Sequence, residues 1–175
     1  MVRIGRRVVT GVNAGGRSVV LEDRPAPSST GAGLNLTRLW YANGSKALTP
    51  AASDALKVKM ETPPGESYFL IGEIKPEDPA MTRDDLEKYV AERFEVMGAP
   101  HLRRNTERHP RMHRTPTIDY VIVLQGTVRL LFDEGEVTLK PFDVVVQQAT
   151  NHAWVNDGPE TVVIAAVLVG LAEGR

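Results

Sequence analysis

The sequence predicts an all-β sandwich or barrel, and three observations carry that expectation. From residue 117 onward, short runs rich in Val, Ile, Thr and Phe follow one another with only turn residues between them. Short, closely spaced strands of this kind close into sandwiches or barrels rather than parallel α/β sheets. Only one segment, near residues 82–97, has helical periodicity. The chain has 175 residues, 42% hydrophobic and 25% charged, which suits one globular domain with a real core.

Element by element, Val8–Val9 and Val19–Leu21 are β-branched runs separated by Asn13-Ala14-Gly15-Gly16, a hairpin turn by composition. Arg24 to Gly33 is rich in Pro, Ser and Gly and predicts a loop. Leu34–Tyr41 predicts a strand and Ala42–Asp54 a second loop. Leu56, Val58 and Met60 alternate with Lys57, Lys59 and Glu61, the period of a half-buried strand. Pro63-Pro64-Gly65 turns the chain into a strand at Tyr68–Ile74. Thr82 caps the predicted helix, Asp84 and Asp85 lie in its first turn, and Gly98 and Pro100 stop it. Leu86, Tyr89, Val90 and Phe94 share one face, which predicts a helix packed on the outside of a sheet. Strands then follow at Thr117–Gln125, Thr127–Phe132, Glu136–Lys140, Val144–Gln147, His152–Val155 and Thr161–Val169.

Composition narrows the function. With 21 basic and 22 acidic residues, the net charge of −1 disfavours a dedicated nucleic-acid or membrane-surface binder. A cluster at Arg103, Arg104, Arg108, Arg111 and Arg114 is locally basic. The absence of cysteine excludes disulfides, thiolate metal sites and a cysteine nucleophile. No run approaches the roughly 20 apolar residues of a membrane span, and Met1–Val9 lacks a signal-peptide core, so the expected compartment is the cytoplasm. Gly11–Gly16 lacks the Gly-Lys-Ser/Thr ending of a phosphate loop, and no nucleophile elbow is present.

The informative residues are four histidines, His101, His109, His113 and His152, and their neighbours. The segment from His113 through Asp119 to Gly126 resembles the first motif of the cupin superfamily, in which a His-x-His pair precedes a Glu and then a Gly. His113 stands at the first histidine, Thr115 at the second, Asp119 at the glutamate and Gly126 in register. Gly135, Pro141, His152 and Asn156 match the second motif, with Asp143 where a glycine is usual. The chain as a whole is similar to small single-cupin barrel proteins. The resemblance implies one cupin domain over 1–175: a jelly roll, or double-stranded β-helix, with a central pocket. Residues 106–175 would form the core and residues 1–105 the N-terminal strand extension and flanking helix. It also implies a homodimer.

Strand alternation shapes the expected site. If Asp119 faces the lumen, so do Val121, Val123 and Gln125, while Tyr120, Ile122 and Leu124 face outward. His113, Asp119 and His152 would offer two imidazoles and a carboxylate to one divalent metal such as Fe, Zn, Mn or Ni. Thr115 removes one family ligand and Asp119 is a methylene shorter than Glu, so a metal-free pocket is the alternative, with Asp119 or His152 as acid–base group. Gln147 and Arg114 are candidate substrate contacts beside Val121, Val123 and Gln125. His101 and His109 are expected at the surface, and Trp40 and Trp154 in packing, with Trp154 turned away from the ligand face. The resulting expectation is a small-molecule enzyme. It would be a metal-assisted lyase, decarboxylase, dehydratase or cyclase acting on an organic acid or aromatic polyketide-like compound. A metal-free binding module and an Fe(II) dioxygenase are the alternatives.

Overall fold

The structure is a computed structural model and describes residues 5–26, 36–44, 47–55 and 60–172. Among the described residues ten strands form three antiparallel sheets, with β1 (Arg6–Val12) and β2 (Ser18–Pro25) making a separate hairpin. The large sheet runs β3 (Leu36–Ala42), β4 (Ser67–Ile74), β10 (Val162–Gly170), β5 (Thr117–Gln125), β8 (Val144–Gln148). The small sheet runs β7 (Glu136–Leu139), β6 (Val128–Phe132), β9 (His152–Val155). The two sheets are the walls of the jelly roll, as the strand-rich sequence implies. Strand β10 is hydrogen-bonded on both sides, to β4 and β5, so early and late segments of the chain share one wall.

The core lies between the walls. Leu70, Val121, Val123, Val128, Leu130, Val162 and Ile164 are buried together, drawn from both sheets by the two-residue period of their strands. Tyr120, Ile122 and Leu124 are exposed, as alternation requires. The alternation fails at the end of β5. Gln125 pairs with Val163 while Val123 pairs with Ile164, so Leu124 is an extra residue and the phase flips. Gln125 is therefore exposed rather than inward-facing.

The hairpin is anchored by one buried cation. Arg7 donates to Asp54 Oδ1 and Oδ2 (2.7 and 2.9 Å), to Glu22 Oε1 (2.8 Å) and to the Leu39 carbonyl (2.9 Å). Asp54 belongs to a short helix, α1 (Pro50–Asp54), within the span read as a loop. Its cap is local: the Thr49 hydroxyl accepts from Ala52 N, and Pro50 stands at the first helical position. Of the alternating stretch at 56–61, residues 56–59 lie outside the described residues, as do 27–33 of the expected loop and Leu34–Asn35 of the expected strand.

The main helix, α2 (Arg83–Val96), has the predicted cap: Thr82 Oγ1 accepts from Asp85 N (3.2 Å) and donates to Asp85 Oδ2 (2.6 Å). Val90 and Phe94 are buried against Ala99 and Leu102 of the following turn. Its placement differs from expectation. Rather than lying outside a sheet, α2 presents Leu86, Tyr89, Val90, Arg93, Phe94 and Met97 to a cavity inside the barrel. Tyr89 is 41% exposed because it sits at the rim rather than in the core. No helix among the described residues is long and apolar enough to cross a membrane.

Two glycines test the turns: Gly126 connects the two walls between β5 and β6, and Gly135 turns the chain within the small sheet between β6 and β7. Gly126 and Gly135 share a left-handed φ of 78°, but a Cβ on Gly126 would lie 2.9 Å from Val162 Cγ2 and 3.2 Å from its Cα, whereas Gly135 has open space. Gly135→Ala is expected to cost about 1 kcal/mol from backbone strain alone. Gly126→Ala should cost roughly 1–3 kcal/mol more because β10 must shift. Denaturant unfolding of both variants checks this, and equal losses would rule out the close approach of the two strands.

Candidate functional site

The site is built on one main-chain contact. His113, in the segment leading to β5, and His152, at the start of β9, exchange both backbone hydrogen bonds at 2.9 Å, as an isolated antiparallel bridge. Residues paired in this way project their side chains to the same face. Their rings meet with centroids 4.6 Å apart and planes at 45°. The Phe94 ring of α2 lies 5.4 Å from His113, and the Trp154 ring stands edge-on to His152 at 6.4 Å.

Both imidazoles are oriented from behind. His113 Nδ1 lies 2.9 Å from the Arg111 carbonyl, and His152 Nδ1 lies 2.9 Å from the Thr150 carbonyl. A carbonyl only accepts, so each Nδ1 carries the proton and each Nε2 is the nitrogen with a free lone pair when the ring is neutral. Burial keeps the rings neutral. It pushes the His113 pKa down, with Arg103 adding to the effect, and pushes His152 down to about 3, with His113 adding to it.

Asp119 lies on the inward face of β5 and is 8% exposed. Burial raises its carboxyl to about 6, against a hydrogen bond from Thr117 that lowers it. The Thr117 hydroxyl is in turn 2.8 Å from that of Thr115, the residue at the family's second histidine position. Asp119 Oδ1 is buried with no hydrogen-bond partner. An unpaired buried carboxylate oxygen is costly and points to an absent partner or a chemical role.

His113, Thr115, Asp119, Val121, His152 and Trp154 all line one cavity of about 470 Å³ beneath α2. Other walls are mostly apolar, from β4, β10 and α2, as in small-molecule sites. The remaining predicted contacts fall elsewhere. Val123 is fully buried in the core and does not line the cavity. Gln147 is buried, but its amide turns back to Thr150 within its own turn. Arg114 is exposed, because it follows His113 and so takes the opposite face. Gln125 is removed from the lumen by the bulge. Trp154 corrects the expectation in the other direction: it is two residues from His152, shares its face and lines the cavity.

The metal expectation meets a geometric limit. The two imidazole rings are adjacent and each keeps a free Nε2 lone pair, which makes them a candidate donor pair. Among the described residues, however, no three His, Cys, Asp or Glu side chains gather closely enough to hold an ion. Asp119 is thus in the same cavity without completing a three-donor set. Asn156, the last residue of the second motif, has a structural role: its amide donates to the Ile74 and Glu160 carbonyls (2.8 and 2.7 Å) and ties the β9–β10 turn to β4.

Glu77 and Arg111 escape sequence reasoning as cavity residues, and His109 departs from its expected surface position. Glu77 follows β4, and Arg111 and His109 precede His113; all three form one ion-paired cluster, with Glu77 and Arg111 in the cavity wall. His109 is only 15% exposed in its side chain, not a surface residue. The parity of Arg111 with His113 is the one sequence signal that points to the cavity. Glu77 is distant in sequence and carries none.

Comparison with known proteins agrees with this picture. Residues 101–169 match the cupin domain model Cupin_2. A 46-residue stretch is 54% identical to the phomopsin biosynthesis cluster protein C' of Diaporthe leptostromiformis, covering 26% of this chain and 24% of that protein. A 46-residue stretch is 48% identical to the cupin-domain-containing oxidoreductase srdD of Neurospora crassa, again covering 26% and 24%. The matched stretch thus spans about a quarter of the length of these curated relatives. Among solved structures, a Cupin 2 conserved barrel domain protein from Salinispora arenicola CNS-205 aligns with a TM-score of 0.43 and 13% identity, over 85% of this chain and 87% of that one. The matched segment carries both motifs and both imidazoles, and it closes on the paired walls of a jelly roll: residues 101–169 of this chain are a cupin domain.

Proposed function

We propose that the chain is a small-molecule enzyme that works by proton transfer inside the barrel, in a dehydration, decarboxylation or ring-closure step. The observation that carries this reading is Asp119, a cavity-lining carboxyl whose Oδ1 is buried without a partner, beside two imidazoles that line the same cavity. A carboxyl with a pKa of about 6 is present in both protonation states near neutrality, which is what a general acid–base needs. In a dehydration, the Asp119 carboxylate takes a proton from the carbon beside a carbonyl and returns it to the departing hydroxyl. One carboxyl then serves as base and acid, water leaves, and no co-reactant is consumed. The neutral imidazoles accept hydrogen bonds at Nε2 from substrate hydroxyls and so fix its orientation. The apolar walls exclude water and strengthen these interactions.

A metal-dependent oxidoreductase is the second reading. It is favoured by the paired Nε2 lone pairs and by relatives that are named oxidoreductases, srdD and the fogC protein of Aspergillus ruber. A bound ion held by the two imidazoles would supply Lewis-acid or redox chemistry. Elemental analysis of untagged protein purified without added metal separates the two. The proton-transfer reading expects substoichiometric metal and a melting temperature unmoved by EDTA. Near-stoichiometric iron, with a melting temperature that EDTA lowers, would instead favour the oxidoreductase and call for an oxygen-uptake assay.

Asp119 also gives a stability prediction. Its folded pKa, about 6, lies above the unfolded value near 3.9, so the folded state holds the extra proton between those limits. Stability from this group is therefore complete below about pH 4 and is lost as pH rises through about 6, by up to about 3 kcal/mol. Asp119→Asn cannot ionise. Its melting temperature should match wild type near pH 4 and exceed it above pH 7, while turnover falls by roughly 10²–10⁴. A melting-temperature difference that is flat with pH would show that the carboxyl is not buried in this state. Unchanged turnover would show that it is not the acid–base group.

A further inference from the structure

We propose that Arg111 anchors a carboxylate of the ligand, held in position by Glu77 and His109, so that the substrate is an organic acid with an apolar or aromatic body. This assignment rests on the small-molecule reading above and names the substrate class for that cavity. Arg111 lines the cavity, yet its guanidinium is engaged only at its inner edge: Nε donates to Glu77 Oε1 at 2.6 Å. Its two terminal amino groups have no hydrogen-bond partner in the structure among the described residues. A guanidinium fixed through Nε presents the remaining nitrogens as a planar fork, the geometry that binds a carboxylate through two parallel hydrogen bonds.

The support behind Arg111 is built rather than incidental. His109 Nδ1 accepts from the Arg111 main-chain N–H (3.2 Å), so the ring proton of neutral His109 resides on Nε2, which faces Glu77 Oε2 at 3.4 Å. Glu77 is fixed in turn by its own N–H, which donates to the Asn156 carbonyl (2.9 Å). Burial alone would raise the Glu77 carboxyl, but the hydrogen bonds from His109 and Arg111 and the positive charge of Arg111 outweigh it and hold the group ionised. The Arg111 carbonyl also orients His113 Nδ1, so the fork and the imidazole pair are parts of one segment. Arg93 of α2 is a second guanidinium on the cavity wall, stacked over Tyr89 at 5.3 Å. The rest of the ligand meets Leu70, Phe94, Met97, Val121, Trp154 and Ile164, which are apolar or aromatic.

Isothermal titration calorimetry with naphthalene-2-carboxylate and its neutral amide tests this on the full chain. A charge-assisted fork should make the carboxylate bind at least about tenfold tighter than the amide. In Arg111→Met that preference should vanish while the amide affinity is unchanged. Arg111→Lys, a milder variant that keeps the charge without the fork, should retain only part of it. Glu77→Gln separates positioning from repulsion: a positioning role weakens carboxylate binding, whereas removal of a merely repelling charge tightens it. Equal binding of the two probes to wild type, or a preference that survives in Arg111→Met, overturns the anchor and leaves the cavity reading intact. Tighter carboxylate binding in Glu77→Gln overturns the positioning role of Glu77. Binding of neither probe overturns the small-molecule reading and the anchor with it.

Discussion

The reciprocal main-chain pair between His113 and His152 is the contact on which the site depends. It joins the lead-in of the large sheet to the first residue of β9 in the small one. Two hydrogen bonds, each worth about 1 kcal/mol net, would matter little for stability alone. Their geometric effect is larger. They place two residues 39 positions apart directly opposite each other with side chains on one face, and the two carbonyls behind the rings settle which nitrogen is free. Everything that faces the imidazoles follows from that pair by alternation: Trp154 along β9, and Thr115 and then Asp119 along the path into β5.

Burial sets the chemistry of these groups more than charge does. The same low-dielectric surroundings push the imidazoles toward neutrality and the carboxyl toward protonation. The site therefore consists of two hydrogen-bond acceptors and one carboxyl poised between states, in a mostly apolar chamber. Charged groups are kept to its wall, where Glu77 pairs with Arg111 through Nε and where Arg93 rests on an aromatic ring. This separation of a neutral interior from a charged wall is physically coherent: an ion pair at the wall stays partly hydrated, while one deep among Val121 and Ile164 would lose its water without full compensation.

The N-terminal part of the chain completes the chamber. Strands β3 and β4 extend the wall begun by β10, and helix α2 closes the cavity with Phe94 against His113. The hairpin β1–β2 is tied on by Arg7 through Asp54, Glu22 and the Leu39 carbonyl, a buried cation with its hydrogen-bonding capacity met by three separate segments. The last residue of the second motif, Asn156, performs the same kind of service at the other end, linking the β9–β10 turn to β4 and Glu77.

The sequence by itself determined the β-rich walls, the capped helix at Thr82, the turns at Gly126 and Gly135, and the shared face of Asp119 and Val121. Each of these is local: strand alternation, a cap and a left-handed turn depend on residues a few positions apart. The motif spacing also pointed to His113 and His152. Only the tertiary structure decided the rest. A single extra residue at Leu124 turned Gln125 outward, and no local pattern announces a bulge whose cause is the pairing partner on β10. An amphipathic stripe says that α2 is half-buried but not whether a sheet face or an open barrel lies beneath it. Glu77 joined Arg111 and His109 across 34 and 32 positions of sequence because Asn156 holds its backbone there, and whether Asp119 stands close enough to share an ion with two imidazoles depends on the separation of two strands. Distances between elements are set by packing, and packing is a property of the folded chain, not of any segment of it.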